Sequence, residues 1–277
     1  MKRNIFIAGK NDIACNALSY LLMEMQYPID NIKAIPTVGD KGRHAWQRSF
    51  RLTAEELHVD CISLSECYED KSALFLSLEF DKIVHVDRFA SNSLFNIHFS
   101  NLPAYRGVGM AVWPLLNGEK ESGVTLHRID NGIDTGDWVA QRVFSIPLDW
   151  TSRDLYQAFL DESYILFKDW IERLIDGRIE AKAQSAVGAT YYPKRALDYS
   201  NLLIDFNRTA YQVHNQIRAY IFPEYQLPVL DGRKVRKSQI TRRRSVARPG
   251  TVEKIDSLSA FVSTVDYDVQ VFFDSDS

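Results

Sequence analysis

The sequence predicts an α/β fold with a mostly parallel sheet, followed by a smaller α+β, β-rich subdomain. Three observations carry this. Short apolar runs over 4–8, 31–36, 59–64 and 74–80 alternate with helical periodicity, the pattern of strand–helix–strand units. The first strand ends at Gly9 in a tight turn before a helix, as parallel crossovers require. After about residue 183 the texture changes to short alternating segments, with residues 248–252, 259–265 and 267–273 reading as strands. We place residues 1–190 in the sheet domain and 191–277 in a subdomain of one helix, a loop and a small β unit.

Each element follows from local sequence. Asn11 and Asp12 are capping residues for a helix with Ile13, Ala17, Leu18, Leu21 and Leu22 at helical spacing. The turn Gly9-Lys10-Asn11-Asp12 has neither G-x-G-x-x-G nor the P-loop pattern. A standard dinucleotide or nucleoside triphosphate site is therefore not expected, although Lys10 lies at the sheet edge where open α/β sheets bind ligands. A second helix runs through Trp46, Phe50, Leu52 and Leu57; Val59–Leu64 and Leu74–Phe80 read as strands three and four. Ser93–His98 is the fifth strand, and Pro103 and Gly107 break the chain after it. Met110–Leu116 reads as a helix stopped by Asn117-Gly118, and Val124–Ile129 alternates as a half-buried strand does. Trp138–Phe144 is a further strand, Asp154–Ile175 a long helix, and Thr209–Ala219 the helix of the subdomain.

Bulk properties exclude several classes. Among the 277 residues the net charge is -3, which gives no global attraction to nucleic acid or anionic membrane. No apolar run approaches the ~20 residues of a membrane helix. The odd set Cys15, Cys61 and Cys67 suits a reducing compartment, so the expectation is a cytoplasmic protein.

The stretch from Asn96 to Asp137 concentrates the chemistry. Asn96 and His98 sit two apart on a strand and so point the same way. Carboxylates return at Asp130, Asp134 and Asp137 in a turn-rich segment. An amide, an imidazole and a carboxylate together can move a proton and stabilise an oxyanion. From the residues alone, any of the three carboxylates qualifies. A metal site would need a third convergent ligand, and His127 has no predictable direction; no metal is expected.

Asn96-x-His98 with Ser100-x-Leu102-Pro103-x-Tyr105-Arg106-Gly107, followed by Gly132-Ile133-Asp134-Thr135-Gly136-Asp137, resembles the folate-dependent formyltransferases. The resemblance implies a Rossmann-like catalytic domain, 10-formyltetrahydrofolate as co-substrate, and Asn96, His98 and Asp134 as the catalytic group. It implies His98 as base, Asn96 as oxyanion donor and Asp134 orienting His98. It also implies a folate pocket about Leu78, Phe80 and Lys82, with Asp130 shaping the adjacent loop.

Residues 105–118, Tyr105-Arg106-Gly107-Val108-Gly109-Met110 onward, are similar to the sugar N-formyltransferase branch of that family, as are Asn215–Tyr220 and Phe222–Pro228. The resemblance implies a nucleotide-sugar substrate with contacts from Tyr105, Arg106, Arg218, Phe222 and Tyr225; Lys10, from its place at the sheet edge, is a further expected contact. Arg218 offers a planar fork to a diphosphate, and Phe222 or Tyr225 an aromatic face to thymine. The first expectation is the amine of a dTDP-linked 4-amino-4,6-dideoxyglucose; a 3-amino-3,6-dideoxyhexose is the alternative. Such products would feed O-antigen (lipopolysaccharide) biosynthesis, and a homodimer is expected by analogy. Against this stands Arg233–Arg248, with eight basic residues and no acidic one. A phosphate-tracking run of that kind keeps a methionyl-tRNA formyltransferase as a further alternative.

Overall fold

The computed structural model describes residues 2–199 and 202–275. The first unit is built on a six-stranded sheet of order β2-β1-β3-β4-β6-β7. Its strands are β1 (Ile5–Gly9), β2 (Ile32–Pro36), β3 (Leu74–Leu78), β4 (Leu94–His98), β6 (Glu121–Arg128) and β7 (Trp138–Ser145); β5 is the short Arg106–Gly107 strand. β2, β1, β3 and β4 run parallel, and β6 returns antiparallel to β4. β1 and β3 are buried throughout because both sheet faces are covered. One face carries Phe6, Ala8, Ile35, Phe75 and Leu94 in a single apolar cluster.

Helices α1 (Asn11–Ser19), α2 (Phe50–Glu56), α3 (Trp113–Leu116), α4 (Ser152–Ile175) and α5 (Ala210–Tyr220) complete the main elements. The expected cap of α1 is corrected: Lys10 is the N-cap and makes no side-chain cap bond, while Asn11 has φ 61° and donates to Glu79 Oε2 at 3.1 Å. That bond ties the ends of β1 and β3. Gly9 is required there, since a Cβ would lie 2.2 Å from the Leu78 carbonyl oxygen. The expected strand at Val59–Leu64 is also corrected. Only a single bridge from Cys61 to Ala34 forms before a 3-10 turn at Leu64–Cys67. The three cysteines are free; burial pushes the Cys15 thiol up to about 11 and the Cys67 thiol up to about 12.

The chain divides into two compact units. One unit holds the chain up to Gly107, Gly123–Val143 and Ala158–Tyr191; the other holds Val108–Ser122, Phe144–Gln157 and the chain from Tyr192. A short strand β8 (Tyr191–Tyr192) marks the last passage. The second unit carries a five-stranded antiparallel sheet ordered β11-β12-β13-β10-β9. These strands are β9 (Val229–Leu230), β10 (Arg233–Arg244), β11 (Val252–Lys254), β12 (Ser259–Val262) and β13 (Tyr267–Phe273). Thr209 caps α5 in a capping box with Gln212, and Val213 and Ile217 of α5 pack on Val235, Val262, Val269 and Val271 of the sheet.

The basic run proves to be a strand. β10 has no apolar alternation to announce it, yet it pairs along β13, and Val235 and Ser238 face inward. Its cations lie over neighbouring rings, Arg233 3.4 Å from the Phe273 centroid and Arg243 4.8 Å from that of Phe261. Arg236 pairs with Asp274 at 2.8 Å; Arg243 pairs with Glu253, and with Asp268 at 3.0 Å.

Candidate active site

β4 ends at His98, so Asn96 and His98 arrive together at the carboxyl edge of the sheet, on one face. The antiparallel register sets His127 opposite Asn96 and Thr125 opposite His98. Thr125 organises the exit loop. Its hydroxyl donates to the Ser100 carbonyl at 2.7 Å and accepts from the Leu102 N–H at 3.1 Å and Gln141 Nε2 at 2.9 Å.

Asp134 comes in from the loop between β6 and β7. Its Oδ1 lies 3.5 Å from His98 Nδ1, 3.6 Å from His127 Nε2 and 3.5 Å from Asn96 Nδ2. Its Oδ2 accepts the Gly107 N–H at 2.9 Å. The three residues expected to meet do so, and Asp130 and Asp137 do not join them. Asp130 instead accepts from Thr135 Oγ1 at 2.7 Å and the Gly132 N–H at 3.1 Å, closing the turn that presents Asp134. Gly136 makes that turn possible, because a Cβ there would sit 1.9 Å from the Arg128 carbonyl oxygen.

Burial alone would raise the carboxyl pKa of Asp134. The charge of the His98 ring, then the neighbouring His127 ring and the Gly107 N–H, outweigh it and hold the group far below the usual carboxylate range. Asp134 is therefore ionised inside the site. His98 Nε2 lies 2.8 Å from the Tyr105 carbonyl oxygen. Both His98 nitrogens thus face oxygen atoms.

Tyr105 and Arg106 form the rim. Tyr105 (φ 61°) and Asp134 (φ 55°) both occupy the left-handed region, each at a cost of about 1–3 kcal/mol for a non-glycine residue. The Tyr105 N–H donates to Thr190 Oγ1 at 2.7 Å. Arg106 donates to Gln184 Oε1 from Nε at 3.2 Å and NH2 at 2.7 Å. Gln184 Nε2 then donates to the carbonyls of Asp134 at 2.9 Å and Gly136 at 2.7 Å. One amide fastens the Arg106 segment to the Asp134 loop, and no sequence spacing announced it. His127 was equally missed; its signal was the alternation of β6, which fixes the face of every second residue once the register is known.

The remaining expected contacts divide. Leu78 is fully buried, so its side chain is core; only its main chain lies at the edge, where its carbonyl accepts the Lys10 N–H at 3.2 Å. Phe80 is half-buried, packing edge-on to Phe75 at 6.5 Å, and Lys82 is exposed. Lys10 is half-buried. In the second unit, Arg218 is 2% exposed and donates to Asn215 Oδ1 at 2.9 Å and to the Pro147 and Trp150 carbonyls at 3.1 Å each. A guanidinium committed to these buried acceptors braces the start of α4 against α5; the expected diphosphate grip is corrected on that ground. Phe222 is also core, packed against Tyr156 at 5.7 Å, which leaves Tyr225, 67% exposed, as the aromatic face on that loop.

A family model described as formyl transferase matches residues 76–171. The structure of WlaRD, a sugar 3N-formyl transferase in the presence of dTDP and 5-N-formyl-THF, is 37% identical, covers 99% of both chains and superposes with a TM-score of 0.93. The N-formyltransferase from Helicobacter canadensis, in complex with folinic acid and dTDP-3-aminofucose, is 40% identical over 98% of this chain and 100% of its own, with a TM-score of 0.92. The methionyl-tRNA formyltransferase of Thermotoga neapolitana is 28% identical over 95% of this chain and 87% of its own. With two full-length relatives above 30% identity and the Asn96–His98–Asp134 group assembled, the chain belongs to the formyl transferase family, in its sugar N-formyltransferase branch.

Proposed function

We propose that this enzyme transfers the formyl group of 10-formyltetrahydrofolate to the 3-amino group of a dTDP-linked 3-amino-3,6-dideoxyhexose. The observation that carries the chemistry is the meeting of Asn96, His98 and an ionised Asp134 at the end of β4. The sugar follows from the two full-length relatives, one named a sugar 3N-formyl transferase and the other bound to dTDP-3-aminofucose. This favours the alternative over the 4-amino sugar first expected. The tRNA reading loses support, since Arg236 and Arg243 on β10 are already paired with acidic side chains.

The residues fit a folate. Glu79 (φ 57°) turns the chain sharply after β3, and Phe80, Val86 and Ile129 are partly buried on the apolar cluster beside it, a surface suited to a flat ring. In the reaction the sugar amine bonds to the formyl carbon and gives its proton to His98. Charge builds on the formyl oxygen, where an Asn96 N–H donates to it. The bond from carbon to the folate nitrogen then breaks, and that nitrogen leaves with the proton that His98 returns to it. Asp134 balances the charge on His98 while it holds that proton.

The test is a side-by-side assay of dTDP-3-amino- and dTDP-4-amino-dideoxyhexoses with 10-formyltetrahydrofolate. The expected result is a kcat/KM preference for the 3-amino sugar of about 100-fold or more, the scale of a site built to hold one amine position. Equal rates, or formylation of charged initiator tRNA instead, overturn the assignment.

A further inference from the structure

His127 is the most deeply buried titratable neighbour of the catalytic group, at 2% exposure, and the proposed reaction gives it no task. Its Nδ1 lies 2.8 Å from the Arg128 carbonyl oxygen, which can only accept, so Nδ1 carries a proton. Its Nε2 lies 3.1 Å from Asn96 Nδ2. An amide nitrogen only donates, so the partner nitrogen must present a lone pair. The groups facing His127 are Asn96, Asp134 and, with ring centroids 6.4 Å apart, His98; Arg128 follows it on the strand. Asp134 is one carboxylate between two imidazoles, and the proton that His98 takes up balances it once.

We infer that His127 is a positioning residue: a neutral Nδ1–H imidazole whose Nε2 lone pair fixes the orientation of the Asn96 amide. Asn96 has two N–H bonds. One is held by His127. The second makes only a long hydrogen bond, 3.5 Å, to Asp134 Oδ1, which is weak enough for that N–H to turn to the developing oxyanion. Without His127 the amide can rotate by half a turn and offer its carbonyl oxygen to the oxyanion, which repels it. The inference rests on the formyl-transfer reading for its effect on rate, but not for its effect on the ring.

Nitrogen-15 NMR of the histidine side chains in the free enzyme reads the ring directly. The expected spectrum at neutral pH shows His127 as the neutral Nδ1–H tautomer. In kinetics with dTDP-3-amino sugar and 10-formyltetrahydrofolate, His127→Leu should lower kcat about 10- to 100-fold, part of the ~10²–10³ attached to an oxyanion donor. Both KM values should stay within about twofold, because the lost interaction forms only in the transition state. His127→Gln, whose amide oxygen accepts where Nε2 did, should recover most of the rate. In an Asn96→Ala background His127→Leu should cost nothing more. An imidazolium at His127 in the NMR spectrum overturns the inference whatever the assay gives. So does a Leu variant with wild-type kcat, a Gln variant no better than Leu, or effects that multiply with Asn96→Ala. Should the Leu variant fail to fold, the NMR and Gln results decide it.

Discussion

Asp134→Asn isolates the charge at the centre of the site while keeping its shape. The carboxylate oxygen lies 3.5 Å from His98 Nδ1. At an effective dielectric of about 20, a pair of unit charges at that separation interacts by about 5 kcal/mol. Relaxation recovers part of this, so kcat should fall about 10²- to 10³-fold, at about 1.4 kcal/mol per decade. The asparagine still offers an oxygen to the Gly107 N–H, so steady-state KM values and the folded state should persist. Acid unfolding supplies an independent readout. A carboxyl held below its usual range contributes stability above the unfolded value of about 3.9, and that contribution is lost as pH falls below it. Wild type should therefore lose more stability than the variant between about pH 4 and lower values. The decisive assay is steady-state formyl transfer at neutral pH, with circular dichroism to certify the fold. A folded variant retaining kcat within about fivefold of wild type refutes the electrostatic argument.

Gly136→Ala puts a Cβ 1.9 Å from the Arg128 carbonyl oxygen, so the Asp134 loop must shift. It should cost about 2 kcal/mol or more of stability together with most activity, read by thermal unfolding and turnover. Gln184→Leu strands the Asp134 and Gly136 carbonyls and releases Arg106, and should lower kcat about tenfold with a smaller change in the melting temperature. Tyr225→Ala removes the exposed aromatic face and should raise the nucleotide-sugar KM about 5- to 100-fold, the scale of one lost stacking contact, at near-constant kcat. An unchanged KM removes Tyr225 from the site.

The strand β4 was legible because its signals are local. Period two aligned Asn96 with His98, and Pro103 and Gly107 marked the loop that follows. Which carboxylate returns to His98 is not local, since Asp130, Asp134 and Asp137 differ only in how one turn folds; the turn is decided by Thr135, Gly132 and Gly136 packing around Asp130. His127 and Gln184 were invisible for the same reason. Each acts through a partner 31 to 78 positions away, and register or loop closure sets that distance. Arg218 misled because a guanidinium suits a diphosphate and a set of buried carbonyls equally well, and only the packing of α5 chooses. The strand β10 hid behind its charges. Its stability comes from pairing with β13 and from cations lying over rings, neither of which has a periodic signature.

Transfer of a carbon-13 formyl group from 10-formyltetrahydrofolate to dTDP-3-amino-dideoxyhexose, followed by NMR in wild type and His98→Ala, tests both the reaction and the role of His98 in it. Wild type should yield a labelled formamide on the sugar nitrogen, and a folded His98→Ala variant should yield none. Label transfer at a similar rate by both proteins, or by neither, would contradict that expectation.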